Sequence, residues 1–423
     1  MTEKQHLILH NTSQLLTLAG GPQRGDALGQ LGIIENGAVA ISDGQILDVG
    51  ASEKILTKYP GFKTFDAQGC VVMPGFVDPH THLVWSGDRA AEFTMRLGGK
   101  TYLEILQEGG GILSTVSATR SASVESLVEQ TRKRALTAFS YGTTTAEVKT
   151  GYGLTLESEI KLLKAILKLN HEGPLELIPT FLAAHAVPPE YTGRTNAYVN
   201  LICQEMLPAL QAWWQDFGGG LPLPFVDVFC EEGAFDLPQS RLLLETAKAL
   251  GFPLKIHADE FLNLGGASLA AELGAASADH LVKTSLEDIQ ALAQTRTAAV
   301  SLPATPFGLG EDAFTPCKAI LDAGGLLALA TDTNPGTAWC ESMQFILALA
   351  CRKMGLTPAQ AIAAATINSA AAIQREDQLG SIEIGKQADL LVLKVSHYHH
   401  LGYRFGTNLV SNVIKRGKIY PVQ

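Results

Sequence analysis

Eight short apolar runs, separated by stretches of helical periodicity, constrain this chain more than any other feature. They are Val77-Asp78-Pro79-His80, Thr143–Val148, Leu177–Leu182, Phe225–Phe229, Pro253–His257, Ala278–Leu281, Ala298–Leu302 and Leu326–Ala330. Each has the length and content of a buried strand. Helical stretches lie between most of them. Glu157 to Leu169 carries Ile160, Leu163, Leu167 and Leu169 at roughly helical spacing. Arg241 to Leu250 and Pro358 to Ile373 read likewise, the latter opened by Thr357-Pro358 as N-cap and first-turn proline. Strands alternating with helices build a parallel sheet, and eight such units over about 300 residues predict a (β/α)8 TIM barrel with insertions. One insertion, Gly218-Gly219-Gly220-Leu221-Pro222-Leu223-Pro224, reads as a loop.

Both ends of the chain read as β structure. Two apolar runs flank Asp43-Gly44, a hairpin signal, and Val413 to Tyr420 forms another around Arg416-Gly417. Neither end is large enough to fold well alone. The expectation is a small β-sandwich domain made from residues 1–72 and 378–423, beside a barrel domain at 73–377.

Bulk composition narrows the function. Apolar residues make up 46% and charged residues 17% of the 423, as in soluble globular proteins. The net charge of −10 argues against a nucleic-acid or anionic-membrane partner. The start, Met1-Thr2-Glu3-Lys4-Gln5-His6, lacks the pattern of a secretory leader, and no apolar stretch approaches about 18–20 residues. The six cysteines are scattered with no C-x-x-C pair, which suits free thiols in a reducing cytoplasm.

Barrel active sites lie at the C-terminal ends of the strands. The first run ends in His80-Thr81-His82. Side chains alternate along a strand, so both imidazoles point the same way and can reach one metal ion. Later ends give Lys149 to Gly153, His185, Cys230-Glu231-Glu232, His257-Ala258-Asp259-Glu260, His280 and Thr331 to Gly336. The seventh offers little beyond Ser301. Five of the eleven histidines thus fall at strand ends, which core packing does not explain. His80, His82, His257 and Asp332 form a nitrogen and oxygen set suited to one catalytic Zn²⁺, with iron as the alternative.

Each residue alone has a plainer reading. His185 is then a hydrogen-bonded structural histidine, Asp332 the cap of a turn, and Glu260 a cap or ion-pair partner. The Cys230-Glu231-Glu232 cluster reads as structural. Lys149 suggests a lysine-bridged two-metal site, but it stands on the second strand and the fourth offers no lysine, so a mononuclear site is favoured. Gly98-Gly99-Lys100-Thr101 mimics the tail of a phosphate loop, yet Thr94 stands where the first glycine belongs. No Gly-x-Ser-x-Gly elbow supports a serine hydrolase.

Taken together, Pro74 to His82, His257-x-x-Glu260, His280 and Asp332 resemble the amidohydrolase superfamily, whose mononuclear deaminase-like branch shares the His-x-x-Glu element. Four further stretches narrow the likeness. Ser86-Gly87-Asp88-Arg89, Glu147 to Leu154, Phe181 to Glu190 and Thr331 to Gly336 resemble the imidazolonepropionase family. The resemblance implies a distorted (β/α)8 barrel with a small β domain. It implies hydrolysis of the cyclic amide C–N bond of 4-imidazolone-5-propanoate to N-formimidoyl-L-glutamate, the third step of histidine degradation. One divalent or trivalent metal ion per subunit would be held by His80, His82, His257 and Asp332. Arg89, Tyr152, His185 and Glu260 would contact substrate, with Asn334, Gly336 and Thr337 lining the same pocket. Glu260, His280 and Asp332 would carry the proton transfers, the base role staying open between His280 and Asp332. The family is implied to be a cytoplasmic homodimer. A nucleobase-deaminase-like enzyme is the nearest rival, but a neutral base needs no carboxylate clamp such as Arg89 with Tyr152. A hydantoinase-like cyclic amidase would want the bridging lysine. A non-catalytic scaffold would have lost ligands.

Overall fold

The eight runs become eight parallel strands: β1 (Phe76–Asp78), β2 (Thr143–Lys149), β3 (Glu176–Ala184), β4 (Phe225–Cys230), β5 (Lys255–Ala258), β6 (Ser277–His280), β7 (Ala298–Ser301) and β8 (Leu327–Leu329). The structure is a computed structural model and describes residues 6–100, 104 and 110–422. Thr101 of the phosphate-loop mimic and residues 1–5 at the start of the chain lie outside these. Each strand pairs with the next, from β1 to β8. β1 and β8 meet only beyond their ends, where Thr81 bridges Thr333 in parallel. There His82 N donates to Thr333 O at 2.9 Å and Asp332 N to His80 O at 3.1 Å. The residues that close the barrel are thus the candidate metal ligands and their neighbours.

Strand β2 shows why these runs are strands. All seven residues are buried, as expected where both faces of a parallel sheet are covered. Its three consecutive threonines are β-branched and fit the pleat.

The helix α1 (Leu156–Glu172) starts where Thr155 accepts from the Ser158 amide. Its core face runs through Glu159, Leu162, Leu163, Ile166 and Leu169. Ile160 and Leu167, placed on that face by spacing, are only half-buried. The helix α2 (Leu237–Ala249) opens with a capping box between Asp236 and Gln239, upstream of the expected start at Arg241.

The helix expected from Pro358 to Ile373 is two helices, α3 (Pro358–Ala364) and α4 (Ile367–Ala372), and this corrects the sequence reading. Thr357 caps the first as expected, but Thr366 leaves helical geometry at φ −127°, ψ −92°. The break frees the Ala365 carbonyl to accept from Val77 N on β1 at 3.1 Å. A continuous helix would have spent that carbonyl internally. Periodicity alone cannot see such a docking bond.

The chain ends build two further sheets. One has four strands, Gln45–Ala51, Gly37–Ser42, His6–His10 and Lys63–Asp66 in spatial order. The other has six, Lys418–Pro421, Val410–Lys415, Leu390–Leu393, Val72–Pro74, Gln14–Leu16 and Ile33–Glu35. Leu9, Val39, Ile41, Val72, Leu390 and Ile414 pack between them as one apolar cluster, so the two sheets make a sandwich. Both expected hairpins form, with positive φ at Asp43 and Gly44 and at Arg416 and Gly417. Two such residues in a row make the tight turn whose twist suits a hairpin. Between Val72–Pro74 and β1 stands Gly75, where a Cβ would lie 2.3 Å from Thr144 Oγ1. Residues Gly218 to Pro224 form neither helix nor strand, and all six cysteines are unpaired. Among the described residues no helix is long and apolar enough to cross a membrane.

Candidate metal centre and active site

His80 and His82 leave β1 side by side and enter the barrel mouth fully buried. His82 Nε2 lies 3.3 Å from His257 Nε2 at the end of β5. Asp332, just past β8, puts Oδ1 3.5 Å from His80 Nε2 and 3.6 Å from His82 Nε2. The four proposed ligands therefore converge. Two more imidazoles join them: His80, His257 and His280 form one group, and His82, His185 and His257 another, each with ligand atoms within 4.8 Å of one another. This histidine and aspartate cluster can hold a metal ion.

Its electrostatics suit that role. Burial pushes His80, His82 and His280 well below the usual imidazole range, and His185 down to about 3. Neutral imidazoles are what a metal binds. His80 Nε2 is buried with no hydrogen-bond partner among the described residues. Such an atom calls for a partner. Burial raises Asp332 to about 6 despite a hydrogen bond from Thr305 Oγ1.

The backs of two imidazoles rest on carboxylates. His80 Nδ1 lies 2.6 Å from Asp279 Oδ2 on β6. His257 Nδ1 lies 3.0 Å from Asp227 Oδ2 on β4. Beneath them Lys149 ends β2 with Nζ 2.7 Å from Asp227 and 2.9 Å from Glu147. Burial pulls its pKa down, but Asp227, Glu147 and Asp279 outweigh that and hold it above the usual lysine value.

A second wall carries Tyr152 and His185. Their rings lie 5.4 Å apart, and His185 stacks on His82 at 4.8 Å. His185 Nδ1 is 3.0 Å from Gly151 O, which leaves Nε2 toward the cluster. Glu159 of α1 fixes this loop, accepting from the amides of Gly151 (2.9 Å), Gly153 (2.8 Å) and Leu154 (2.6 Å).

Arg89 lies beside the turn after β8. Arg89 Nε donates to Glu92 at 2.8 Å, and the guanidinium lies against Gly336. Asn334 makes that turn: its Oδ1 accepts from the amides of Gly336 and Thr337, both at 2.8 Å, and its Nδ2 donates to Asp332 O at 2.7 Å. Asn334, not the carboxylate of Asp332, is thus the cap of this turn.

Glu260 stands at the mouth, its Oε2 3.5 Å from His280 Nε2. Burial first, then the negative charges of Asp332, Glu231 and Glu311, hold its carboxyl well above the usual range. Glu231 accepts from Phe261 N at 2.9 Å and Leu262 N at 3.2 Å, the structural task expected of that cluster. The backbone turns sharply here, with φ of +55° at Asp259, +80° at His280 and +54° at Asp332. Non-glycine residues rarely adopt this region, and functional sites are where such strain concentrates.

Sequence reading passed over Asp227, Asp279, Glu159 and Thr305. The first two had a signal: a lone aspartate inside an apolar strand is buried and needs a partner. Thr305 follows the seventh strand, where only Ser301 was noted. Ser301 instead donates to Thr315 Oγ1 at 2.8 Å.

The sequence model of the amidohydrolase family matches residues 71–420. The imidazolonepropionase of Herpetosiphon aurantiacus is 49% identical over 412 residues, covering 97% of this chain and 96% of that protein. The imidazolonepropionase of Symbiobacterium thermophilum is 48% identical over 416 residues, covering 98% and 96%. Among solved structures, an adenosine deaminase from Xanthomonas campestris with bound zinc superposes with a TM-score of 0.70 at 19% identity, covering 99% of this chain and 93% of that one. A 5-methylcytosine deaminase from Klebsiella pneumoniae liganded with 5-fluorocytosine gives 0.70 at 16% identity, covering 98% and 97%. At such identities the structural likeness speaks for the fold alone.

Proposed function

Because the chain belongs to the amidohydrolase family, and within it to the imidazolonepropionases, we propose that it hydrolyses the ring amide of 4-imidazolone-5-propanoate to N-formimidoyl-L-glutamate. The observation that carries this reading to the site is the joining of two features by one turn. At its start stands Asp332 within the histidine cluster; at its end Gly336 lies against the Arg89 guanidinium. One can serve hydrolysis, and the other can bind a carboxylate tail.

The orphaned His80 Nε2 and the close His82 and His257 Nε2 atoms fit a metal. His80, His82, His257 and Asp332 would hold it, zinc first and iron second, and when bound it supplies a Lewis acid that lowers the pKa of water toward about 7. The protein's own groups do the rest. Arg89 grips the propanoate in a fork that lysine cannot copy, and the Tyr152 hydroxyl adds a donor. His185 contacts the ring, while Asn334, Gly336 and Thr337 line the tail pocket. Water adds to the ring carbonyl carbon as His280 or Asp332 takes its proton. The C–N bond then breaks, and Glu260, its carboxyl held well above the usual range, gives a proton to the departing nitrogen. The carbonyl becomes a carboxylate, and the nitrogen stays on the chain in the formimidoyl group.

In this proposal residues 73–377 are the catalytic unit, and 1–72 with 378–423 a composite β unit. The enzyme is a cytoplasmic homodimer, checked by light scattering of the purified chain at twice its mass. The decisive test is incubation with 4-imidazolone-5-propanoate, following loss of its ultraviolet absorbance with and without a chelator. Fast loss that the chelator abolishes supports the reading. Ammonia released from a nucleobase, with no loss of that absorbance, replaces it with a deaminase.

A further inference from the structure

We propose that Lys149 is a positioning residue for the metal centre: through Asp227 and Asp279 it fixes which nitrogen His257 and His80 turn toward the ion. This rests on the reading that the histidine cluster holds a metal.

The geometry is specific to single atoms. Lys149 Nζ lies 2.7 Å from Asp227 Oδ2 and 3.7 Å from Asp279 Oδ2. The same Asp227 Oδ2 is 3.0 Å from His257 Nδ1, and the same Asp279 Oδ2 is 2.6 Å from His80 Nδ1. One ammonium on β2 therefore reaches a ligand on β5 and a ligand after β1, each through one carboxylate oxygen. The hydrogen bond between His80 Nδ1 and Asp279 keeps the proton there and leaves the Nε2 lone pair bare for the metal; at His257, whose Nδ1 makes no hydrogen bond among the described residues, the Asp227 carboxylate acts through its charge at 3.0 Å.

The neighbouring charges show why the cation matters. Glu147, Asp227, Asp279, Lys149 and Lys255 are all fully shielded from solvent in their side chains. Lys255 Nζ is 3.6 Å from Asp279 Oδ2, but it is engaged by Ser277 Oγ at 2.6 Å. Removing the Lys149 ammonium leaves Asp227 and Glu147 without the cation between them. Like charges in a poorly screened interior repel strongly. The carboxylates then turn away from each other, and the imidazoles lose the oxygens that orient them. This gives the lysine a task other than bridging two metals.

The test is a mutant cycle on zinc affinity, read by chelator competition, with thermal melts of the metal-free proteins. Wild type, K149M, D227N and K149M/D227N are compared. The expected result is a 10- to 100-fold loss in K149M, the usual effect of a group behind a ligand. The double variant should lose less than the product of the two single losses, since both act through one oxygen. A K149M protein that melts cooperatively and holds zinc as tightly as wild type overturns the inference and leaves the metal reading standing. Wild type that holds no zinc overturns both. Should K149M fail to fold, K149Q takes its place: weakened zinc binding in a cooperatively melting protein supports the inference, and unchanged binding overturns it.

Discussion

Arg89 lies so close to Gly336 that a Cβ at residue 336 would come within 2.3 Å of Arg89 Nη1. The two residues follow β1 and β8, the strands that meet only at the barrel mouth. Closing the barrel therefore brings Arg89, the proposed carboxylate anchor, to the turn that starts at Asp332 of the histidine cluster. Arg89→Met should raise KM for 4-imidazolone-5-propanoate by about 10- to 100-fold, the effect of losing a charged hydrogen bond of about 1.5–3 kcal/mol. Gly336→Ala should raise KM in the same direction by displacing the guanidinium. Steady-state kinetics check both, and an unchanged KM in the Arg89 variant removes it as the anchor.

Glu260 is the carboxyl 3.5 Å from His280 that burial, with Asp332 and Glu231 nearby, holds well above the usual range. Glu260→Gln keeps its size but not its proton. Turnover should fall by about 10²–10⁴-fold, the range for a general acid or base. Metal content, measured by elemental analysis, should stay at the wild-type level. Wild-type turnover would take Glu260 out of the chemistry.

His257 touches both His82 and Asp227. His257→Ala should purify with sharply reduced metal and negligible activity, while its secondary structure by circular dichroism stays intact. Full occupancy would refute that ligand.

Glu176 opens β3 and meets Arg375 at 3.1 Å, Lys415 at 3.0 Å and Arg416 at 3.0 Å. Burial would raise its carboxyl, but Lys415, Gln387 and Arg416 outweigh that and bring it down to about 2. A carboxylate depressed in the folded state stabilises it above the unfolded value of about 4.3, and that contribution fades as pH falls toward 2. Glu176→Gln should cost on the order of 3 kcal/mol near neutrality. The gap in Tm between variant and wild type should hold from pH 7 to about 5, then shrink steadily below it. A gap independent of pH would show that the ion pairs contribute little.

Local signals carried much of this fold. The eight apolar runs were visible because a strand buried on both faces must be apolar along its length. The hairpins were visible because Asp43-Gly44 and Arg416-Gly417 accept positive φ. The strand-end histidines stood out because alternation makes His80 and His82 face one way. The break at Thr366 was hidden, since it answers to a carbonyl bond with Val77 far away in sequence. The true core face of α1 was hidden too, because Ile160 and Leu162 look equally apolar until β3 is packed against them.

The sequence by itself determined the strands, the order of the candidate ligands along them and the family to which the motifs belong, since these rest on local pattern and residue chemistry. Only the tertiary structure decided which carboxylate backs which imidazole, that Lys149 lies beneath two of them, and that Gly336 makes room for Arg89. Those relations join residues from different strands, and barrel closure brings them within hydrogen-bonding distance although nothing in their local sequence requires it.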